Sequence, residues 1–402
     1  MWRVAGSADG PTVSSASRPR TPVAPPSRRG SGSTRTKCAS SSCDCSVPPC
    51  RRTTCTGGPP SCSFPRTSWS DDLGEREARP LVPVLVGPTA VGKTAVAAAW
   101  AEREPVTVIS ADARQVYRNL DIGTAKPDRE LLARVPTLGL DLILPGERYS
   151  AGRFARDAAE WLDRIQADGR QPVVVGGTGL YVRALTDGLF QQPPLDPARR
   201  ARLRAWTEGV PAAQLAHWAA RLDRRYAGGG RQRAARAVEI ALLTGRGLTW
   251  WQEHARASGA MRPWYIHLTL PRAALRRRIA ERVDAMLAAG LVAEVRRALT
   301  AGAPRSGPGL DGVGYPEVVA MLEGRLPESG LREAIFIATR RYAKRQETWF
   351  RHQLRGEREA GSGTVDVWTL DASEPPQDLA DQVVARWRER AAPRSPLPSI
   401  RS

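Results

Sequence analysis

Beyond residue 62 the sequence contains no cysteine, although six stand before that point (Cys38, Cys43, Cys45, Cys50, Cys55 and Cys62). A chain whose remaining length holds no thiol has no disulfide framework to fold around, and it suits a reducing cytoplasm. The six early cysteines follow no common zinc spacing and have no histidine near them, so they are read as incidental. No apolar run approaches the roughly 18 residues of a helical membrane span, so the sequence reads as soluble with no membrane partner. The N-terminus lacks the apolar core of a secretory signal. Lysine is scarce: of 60 basic residues only Lys37, Lys93, Lys126 and Lys344 are lysine. A compact ammonium and a planar guanidinium are not interchangeable at tight sites. The three lysines beyond residue 80 therefore mark positions where arginine would not serve.

What is present is positive charge. The 402 residues carry a formal net charge of +19, with a pI near 10.7, which points to a polyanionic partner. At 41% hydrophobic, the chain can also bury a full core and hold more than one domain.

Residues 1–80 are rich in Ser, Pro, Arg, Thr and Gly without periodic apolar patterning, and are expected to form a disordered extension. Two readings of that segment stay open, an organelle transit peptide and a translation start set upstream of the true one. From Leu81 strand and helix patterns alternate: "LVPVLVG", a helix from Lys93, "VTVIS" at 106–110, a helix at 153–168, then "QPVVVGGTG". That rhythm predicts a doubly wound parallel α/β sheet, with 81–190 as the first part of its core. Residues 191–262 break the rhythm with Arg-rich helical stretches and are expected to be a helical insertion domain. The second part of the core, 263–390, opens with "WYIHLTL" at 264–270. Helices at about 272–301, 314–324 and 330–353 and a last strand "VDVWTL" at 365–370 follow. A disordered tail is expected at 391–402.

Gly87-Pro88-Thr89-Ala90-Val91-Gly92-Lys93-Thr94 satisfies G-x-x-x-x-G-K-[ST], between an apolar run and a helix. Backbone N–H groups and a helix N-terminus then face an anion, Lys93 neutralises it, and the Thr94 hydroxyl is placed to hold Mg2+. The motif identifies a di- or triphosphate without saying which. A nucleotide kinase would set an acid at the end of a second apolar strand. Here Gly176-Gly177-Thr178-Gly179 stand at that place, and Asp141 sits within a run. The glycines permit close backbone approach by a ligand, or simply a tight strand-to-helix turn. Asp112 follows the second strand, where open α/β sheets place ligands, although a lone Asp there is often a helix cap. The polar residues after it (Arg114, Gln115, Tyr117, Asp121, Thr124, Lys126) favour a site. Arg278 and Arg282 flank an apolar helical stripe that includes Ile279, Val283, Met286, Leu287, Val295 and Leu299. Near the end, Arg340, Arg341, Lys344, Arg345 and Arg351 alternate with Tyr342, Trp349 and Phe350. That pattern suits unstacked RNA bases or a solvated amphipathic helix.

Taken in order, "GPTAVGKT", "DARQVY", "DIGTAKP", "YSAGRF", "GGTGLY", "RQRAARAVEIALLTG", "RVDAMLAAGLVAEV", "VGYPEV" and "TRRYAKRQETWFR" resemble the tRNA dimethylallyltransferase family from about Leu81 to about Arg355. The resemblance implies a P-loop NTPase-like core with a helical insertion. It also implies a monomer using Mg2+ to transfer a dimethylallyl group from dimethylallyl diphosphate to N6 of adenosine 37, in the anticodon stem-loop of tRNA. On that resemblance Asp112 accepts the N6 proton, while Lys93, Thr94, Thr178 and Arg282 stabilise the departing diphosphate. Gly87 to Thr94 form its cradle. Asp112, Ala113, Arg114 and Gln115, then Gln232, Arg233 and Arg236, then Thr339, Arg340, Lys344 and Arg345 match stretches that touch tRNA. The chain departs from the pattern at Ala113, at Gly229-Gly230, at Asp311, and in "PTLGLDLIL", which lacks a His-His pair. Two other readings compete: a P-loop kinase of a small metabolite, which needs a strand-end acid, and a non-catalytic RNA-binding module, which leaves Asp112 and Lys93-Thr94 without purpose.

Overall fold

The computed structural model describes residues 79–191, 193–255, 257–354 and 366–391. The Ser/Pro/Arg-rich extension up to residue 78, its six cysteines, Lys37 and the tail beyond Ala391 lie outside the described residues.

Among the described residues six strands, β1 (Leu81–Val86), β2 (Val106–Ser110), β3 (Thr137–Leu138), β4 (Gln171–Gly176), β5 (Arg262–Thr269) and β6 (Val367–Asp371), form one sheet in the order β3-β2-β4-β1-β5-β6. Every pairing is parallel, as the alternating pattern requires. Parallel strands need crossovers that cover both faces, and side chains alternate between those faces. In β1, Val82, Val84 and Val86 join one buried cluster and Leu85 the other. In β5, Tyr265 faces the first cluster while Trp264, Ile266 and Leu268 face the second.

The covering helices are α1 (Lys93–Ala101), α2 (Arg129–Arg134), α3 (Ala151–Ala167) and α4 (Gly179–Thr186), then α9 (Arg272–Ala288), α10 (Leu291–Thr300), α11 (Tyr315–Leu322), α12 (Leu331–Leu354) and α13 (Pro376–Ala391). Local signals set several starts: Asp128 and Ser150 accept from Leu131 N–H and Arg153 N–H, and Glu317 reaches back to Gly314 N–H at 2.8 Å. The single helix expected at 272–301 is two. Gly290 adopts φ 95° between α9 and α10, so Val295 and Leu299 pack from a second axis. Asp141 is not within a strand; it occupies a turn at φ 53° after the two-residue β3.

Between Pro197 and His254 lie α5 (Pro197–Gly209), α6 (Ala212–Leu222), α7 (Arg231–Thr244) and α8 (Leu248–His254). They enclose their own apolar cluster around Leu215, Ala234, Val238 and Ile240, so this segment brings its own core. No helix among the described residues is long and apolar enough to cross a membrane.

Candidate functional site

The loops after β1, β2 and β4 meet at the carboxyl edge of the sheet, where open α/β folds collect ligands. A cavity of about 730 Å³ opens there, walled also by α9 and α12. Its size falls in the usual range for a small-molecule site.

The loop after β1 turns because Gly87 and Gly92 take φ 150° and 108°, with Ala90 at 64°. A side chain at Gly87 would stand 2.6 Å from the Leu268 carbonyl, so the turn admits only glycine. Gly92 begins α1 without a capping side chain, leaving first-turn N–H groups for an anion. Thr89, Ala90, Gly92, Lys93 and Thr94 reach the cavity wall. Gly87, Pro88 and Val91 lie behind it: the Lys93 ammonium donates to the Gly87 carbonyl (3.0 Å) and the Pro88 carbonyl (2.8 Å), while Val91 is buried in the core. Arg278 donates to the Val91 carbonyl (2.9 Å) and the Ala372 carbonyl (2.9 Å), pinning the loop from below.

Asp112 stands two residues beyond β2 and lines the cavity. Its carboxylate accepts from Arg114 N–H at 2.8 Å, a local turn that orients the side chain. The Thr178 hydroxyl sits just behind the wall, accepting from Ala113 N–H at 3.0 Å and bonding to the Tyr342 phenol. Burial pulls the Lys93 pKa down to about 8, opposed by Asp112 and reinforced by Arg282. Arg282, also on the wall, is lowered by burial, again opposed by Asp112. Two cations and a carboxylate thus share one poorly solvated space. Burial and then the Asp112 charge push the Tyr342 phenol up to about 12, keeping it a donor.

Gly176, which ends β4, and Gly177 line the cavity with their backbone, while the side-chain positions of these glycines and of Gly179 are taken by protein. A side-chain carbon at Gly176 would meet the Ala111 carbonyl at 2.2 Å, at Gly177 the Gln346 amide at 2.2 Å, and at Gly179 the Trp349 ring at 2.2 Å. Gln346 explains the second contact, since it donates to the Gly177 carbonyl (2.9 Å) and accepts from Thr89 N–H (2.8 Å). One amide therefore joins α12 to two ligand loops.

Of the residues expected to touch RNA, Arg114, Gln115, Thr339 and Arg345 line the cavity with Asp112, whereas Arg340 and Lys344 are exposed on α12 away from its wall. Gln115 spends its amide internally, accepting from the Ser110 hydroxyl (2.7 Å) and donating to the Ala125 carbonyl (3.1 Å). Arg114 pairs with Asp311 and donates to the Pro308 carbonyl (2.8 Å), so the acid at 311 has a cationic partner at the cavity rim. Gln232 and Arg233 are exposed on α7, and Arg236 bonds Glu239 at 2.9 Å; none of the three reaches the cavity.

Lys126 gives a specific reason for lysine. Its ammonium donates to the Tyr117 carbonyl, Asp121 and Asp141, each at 2.6 Å, matching its three N–H groups. Lys344 makes no such set of bonds among the described residues. Sequence reasoning passed over Gln346, Tyr342 as partner of Thr178, and Glu294, which anchors the segment at 121–123. A signal existed for Gln346 and Glu294: each is a polar residue on a buried, largely apolar helical stripe.

A family model described as IPP transferase matches residues 115–353, and one described as isopentenyl transferase matches residues 80–141. The chain is 44% identical over 285 residues to the tRNA dimethylallyltransferase of Bordetella petrii, covering 69% of this chain and 90% of that one. With the tRNA dimethylallyltransferase of Geobacter metallireducens the identity is 40%, covering 69% and 92%. Among solved structures, the tRNA isopentenylpyrophosphate transferase of Bacillus halodurans aligns with a TM-score of 0.55 at 31% identity, covering 78% of this chain and 98% of that one. A eukaryotic dimethylallyltransferase acting on tRNA aligns at 0.64 with 21% identity, covering 80% and 81%, a likeness of fold.

Proposed function

The chain belongs to the IPP transferase family, whose curated relatives are tRNA dimethylallyltransferases, and from that premise we propose how its cavity performs the transfer. The substrates are dimethylallyl diphosphate and a tRNA, and the acceptor is N6 of adenosine 37 beside the anticodon. The observation that carries the reading is the placing of Lys93 and Arg282 with Asp112 around one cavity. The cations suit a leaving diphosphate and the carboxylate suits an amine proton. A kinase reading has no comparable support: Gly176-Gly177 stand where its acid would be, and Asp141 is tied to Lys126.

The exocyclic amine is a poor nucleophile because its lone pair is delocalised into the ring. The base leaves its stack at a cost of a few kcal/mol and N6 is brought in line with C1 of the allyl group. The N6 lone pair forms the new N–C1 bond while the C1–O bond breaks, its electrons departing with the diphosphate. Lys93, Arg282 and the first-turn N–H groups of α1 balance the charge that grows on that oxygen. Asp112 takes the N6 proton as general base. Thr178 acts one step back, holding the Ala113 backbone and with it the Asp112 turn. Arg114 at the rim then exchanges Asp311 for an RNA phosphate.

The donor set suits Mg2+ arriving with the diphosphate. Among the described residues no group of three His, Cys, Asp or Glu could hold an ion, while Mg2+ commonly relies on substrate phosphates, waters and one or two protein oxygens. Thr94, exposed on the cavity wall, would hold that ion through its hydroxyl, and the ion would screen the diphosphate's charge. We place the reaction in the cytoplasm, where unmodified tRNA is met.

The direct test supplies unmodified tRNA, Mg2+ and dimethylallyl diphosphate labelled in its five-carbon group, beside a parallel assay with γ-labelled ATP. Label should pass to tRNA and be lost when adenosine 37 becomes guanosine. Phosphoryl transfer from ATP instead would mean that the loop carries another cargo.

A pH dependence follows from Lys93. Its ammonium is charged below about 8 and is lost as pH rises through that value, so the free enzyme loses its loop cation on the alkaline side. KM for dimethylallyl diphosphate should therefore climb above about pH 8. A KM that stays flat to pH 9.5 would remove Lys93 from diphosphate binding.

A further inference from the structure

Away from the cavity, α5 and α7 meet around one buried carboxylate. Glu239, buried on α7, accepts from Arg200 Nε at 2.6 Å and Arg236 at 2.9 Å through the same oxygen. Its other oxygen lies 3.5 Å from Arg204 Nε. Three guanidiniums thus share one carboxylate, leaving a local excess of two positive charges. One arginine would neutralise Glu239 and tie the two helices together; the other two are surplus to that task.

The surplus is held against its own electrostatics. Burial is the largest force lowering the Arg236 pKa; the Glu239 charge opposes it, and Arg200 and Arg204 lower it further. Arg200 and Arg204 stand four apart on α5, a spacing that sets like charges side by side. The arrangement is also fixed in place. Arg231 at the start of α7 donates to the Thr207 and Glu208 carbonyls, both at 2.7 Å, and to the Val210 carbonyl, so the end of α5 is clamped independently. Arg200 and Arg204 approach Glu239 through Nε, and no bond to their terminal nitrogens occurs among the described residues. Their side chains remain 29% and 43% exposed. Partly exposed guanidiniums with excess charge suit a phosphodiester, whose oxygens match the fork in pairs.

We propose that Arg200 and Arg204, set with Arg236 on the Glu239 carboxylate, form a phosphate claw for the tRNA backbone. Arg236 lies in a stretch already expected to meet RNA; Arg200 and Arg204 add a second helix to that surface. The proposal rests on the reading of the chain as a tRNA-modifying enzyme. None of the four residues lines the cavity, so the claw acts on binding and not on the chemical step.

The test uses the full chain with Arg200→Gln, Arg204→Gln, the double variant and Arg200→Lys. In every variant Arg236 still partners Glu239, so the buried carboxylate is not stranded, and thermal midpoints report the fold. KM for tRNA should rise roughly tenfold in the double variant, with kcat and KM for dimethylallyl diphosphate unchanged. The log–log salt dependence of tRNA binding should become shallower by roughly one for each arginine removed, and Arg200→Lys should restore the slope lost in Arg200→Gln. A double variant with the parent's KM and salt slope, in an enzyme that transfers normally, would overturn the claw alone. Competition by free inorganic phosphate that depends on these arginines, with no change in the tRNA slope, would overturn its assignment to RNA. A parent enzyme that transfers nothing to tRNA would remove the functional reading, and the claw with it.

Discussion

Asp112→Asn should lower single-turnover transfer by roughly 10²- to 10⁴-fold, the usual range for removal of a positioned general base, while tRNA still binds. Asparagine is the informative substitution because its carbonyl can still accept the 2.8 Å bond from Arg114 N–H. The turn that aims the side chain is then kept, and only the capacity to take a proton is lost. Alanine would remove both and confuse positioning with chemistry. A second consequence separates this variant from a misfolded one. The Asp112 charge opposes the effect of burial on Lys93. Without that charge the ammonium is lost at a lower pH, so the rise in KM for dimethylallyl diphosphate should begin below about pH 8. Transfer within tenfold of the parent would take the proton from Asp112 and require another acceptor on the cavity wall.

The parts of this site legible in the sequence are those encoded locally. The loop after β1 is written in glycines that alone accept φ near 108°, in a lysine, and in an apolar run before it. The doubly wound sheet is legible for a similar reason: strands such as β1 are apolar on both faces because helices cover both. Lysine scarcity singled out Lys93, Lys126 and Lys344; the first two ammonium groups bond to named carbonyls and carboxylates, and no comparable bonds occur at Lys344 among the described residues.

What stayed hidden depends on partners far along the chain. The glycines after β4 admit a neighbour, but the neighbours are Gln346 and Trp349, some 170 residues on, which only the fold brings near. In the same way, the expected RNA contact at Arg236 gives no hint that Arg200 and Arg204 join it around Glu239. Glu294 and Gln346 were nearly legible. Glu294 follows Leu291 and precedes Val295 and Ala298 on one buried stripe, and Gln346 lies on the stripe of Ile335, Thr339, Ala343 and Phe350. A polar residue on such a stripe must find partners inside, so its presence predicts a buried network without naming the other half.

Glu294 gives the largest expected effect on stability. The residue is only 3% exposed, and its carboxylate accepts four hydrogen bonds: from Asp121 N–H (2.7 Å), Ile122 N–H (2.8 Å), Gly123 N–H (3.0 Å) and the Tyr315 hydroxyl (2.9 Å). All four partners are donors, three of them successive backbone N–H groups that no helix or strand satisfies. Burial and the neighbouring carboxylate both push the Tyr315 phenol upward, so it remains a donor. Gly123 completes the fit, because a side-chain carbon there would lie 2.4 Å from the Tyr315 ring. Glu294→Ala should therefore cost about 3–5 kcal/mol, the scale of a buried charged group whose partners are stranded, out of a total stability of order 5–15 kcal/mol. Glu294→Gln should be nearly as harmful, since one end of the amide would present its own N–H groups to donors. Tyr315→Phe removes one donor and leaves the backbone bonds intact, so its cost should stay near 1 kcal/mol. Denaturant midpoints for the three variants, with proteolysis of the 121–126 segment, check the order. If Glu294→Gln matched the parent, the acceptor-only logic of this anchor would fail. If Glu294→Ala lost stability without exposing that segment, the carboxylate would be holding α10 to α11 rather than the loop that carries Lys126.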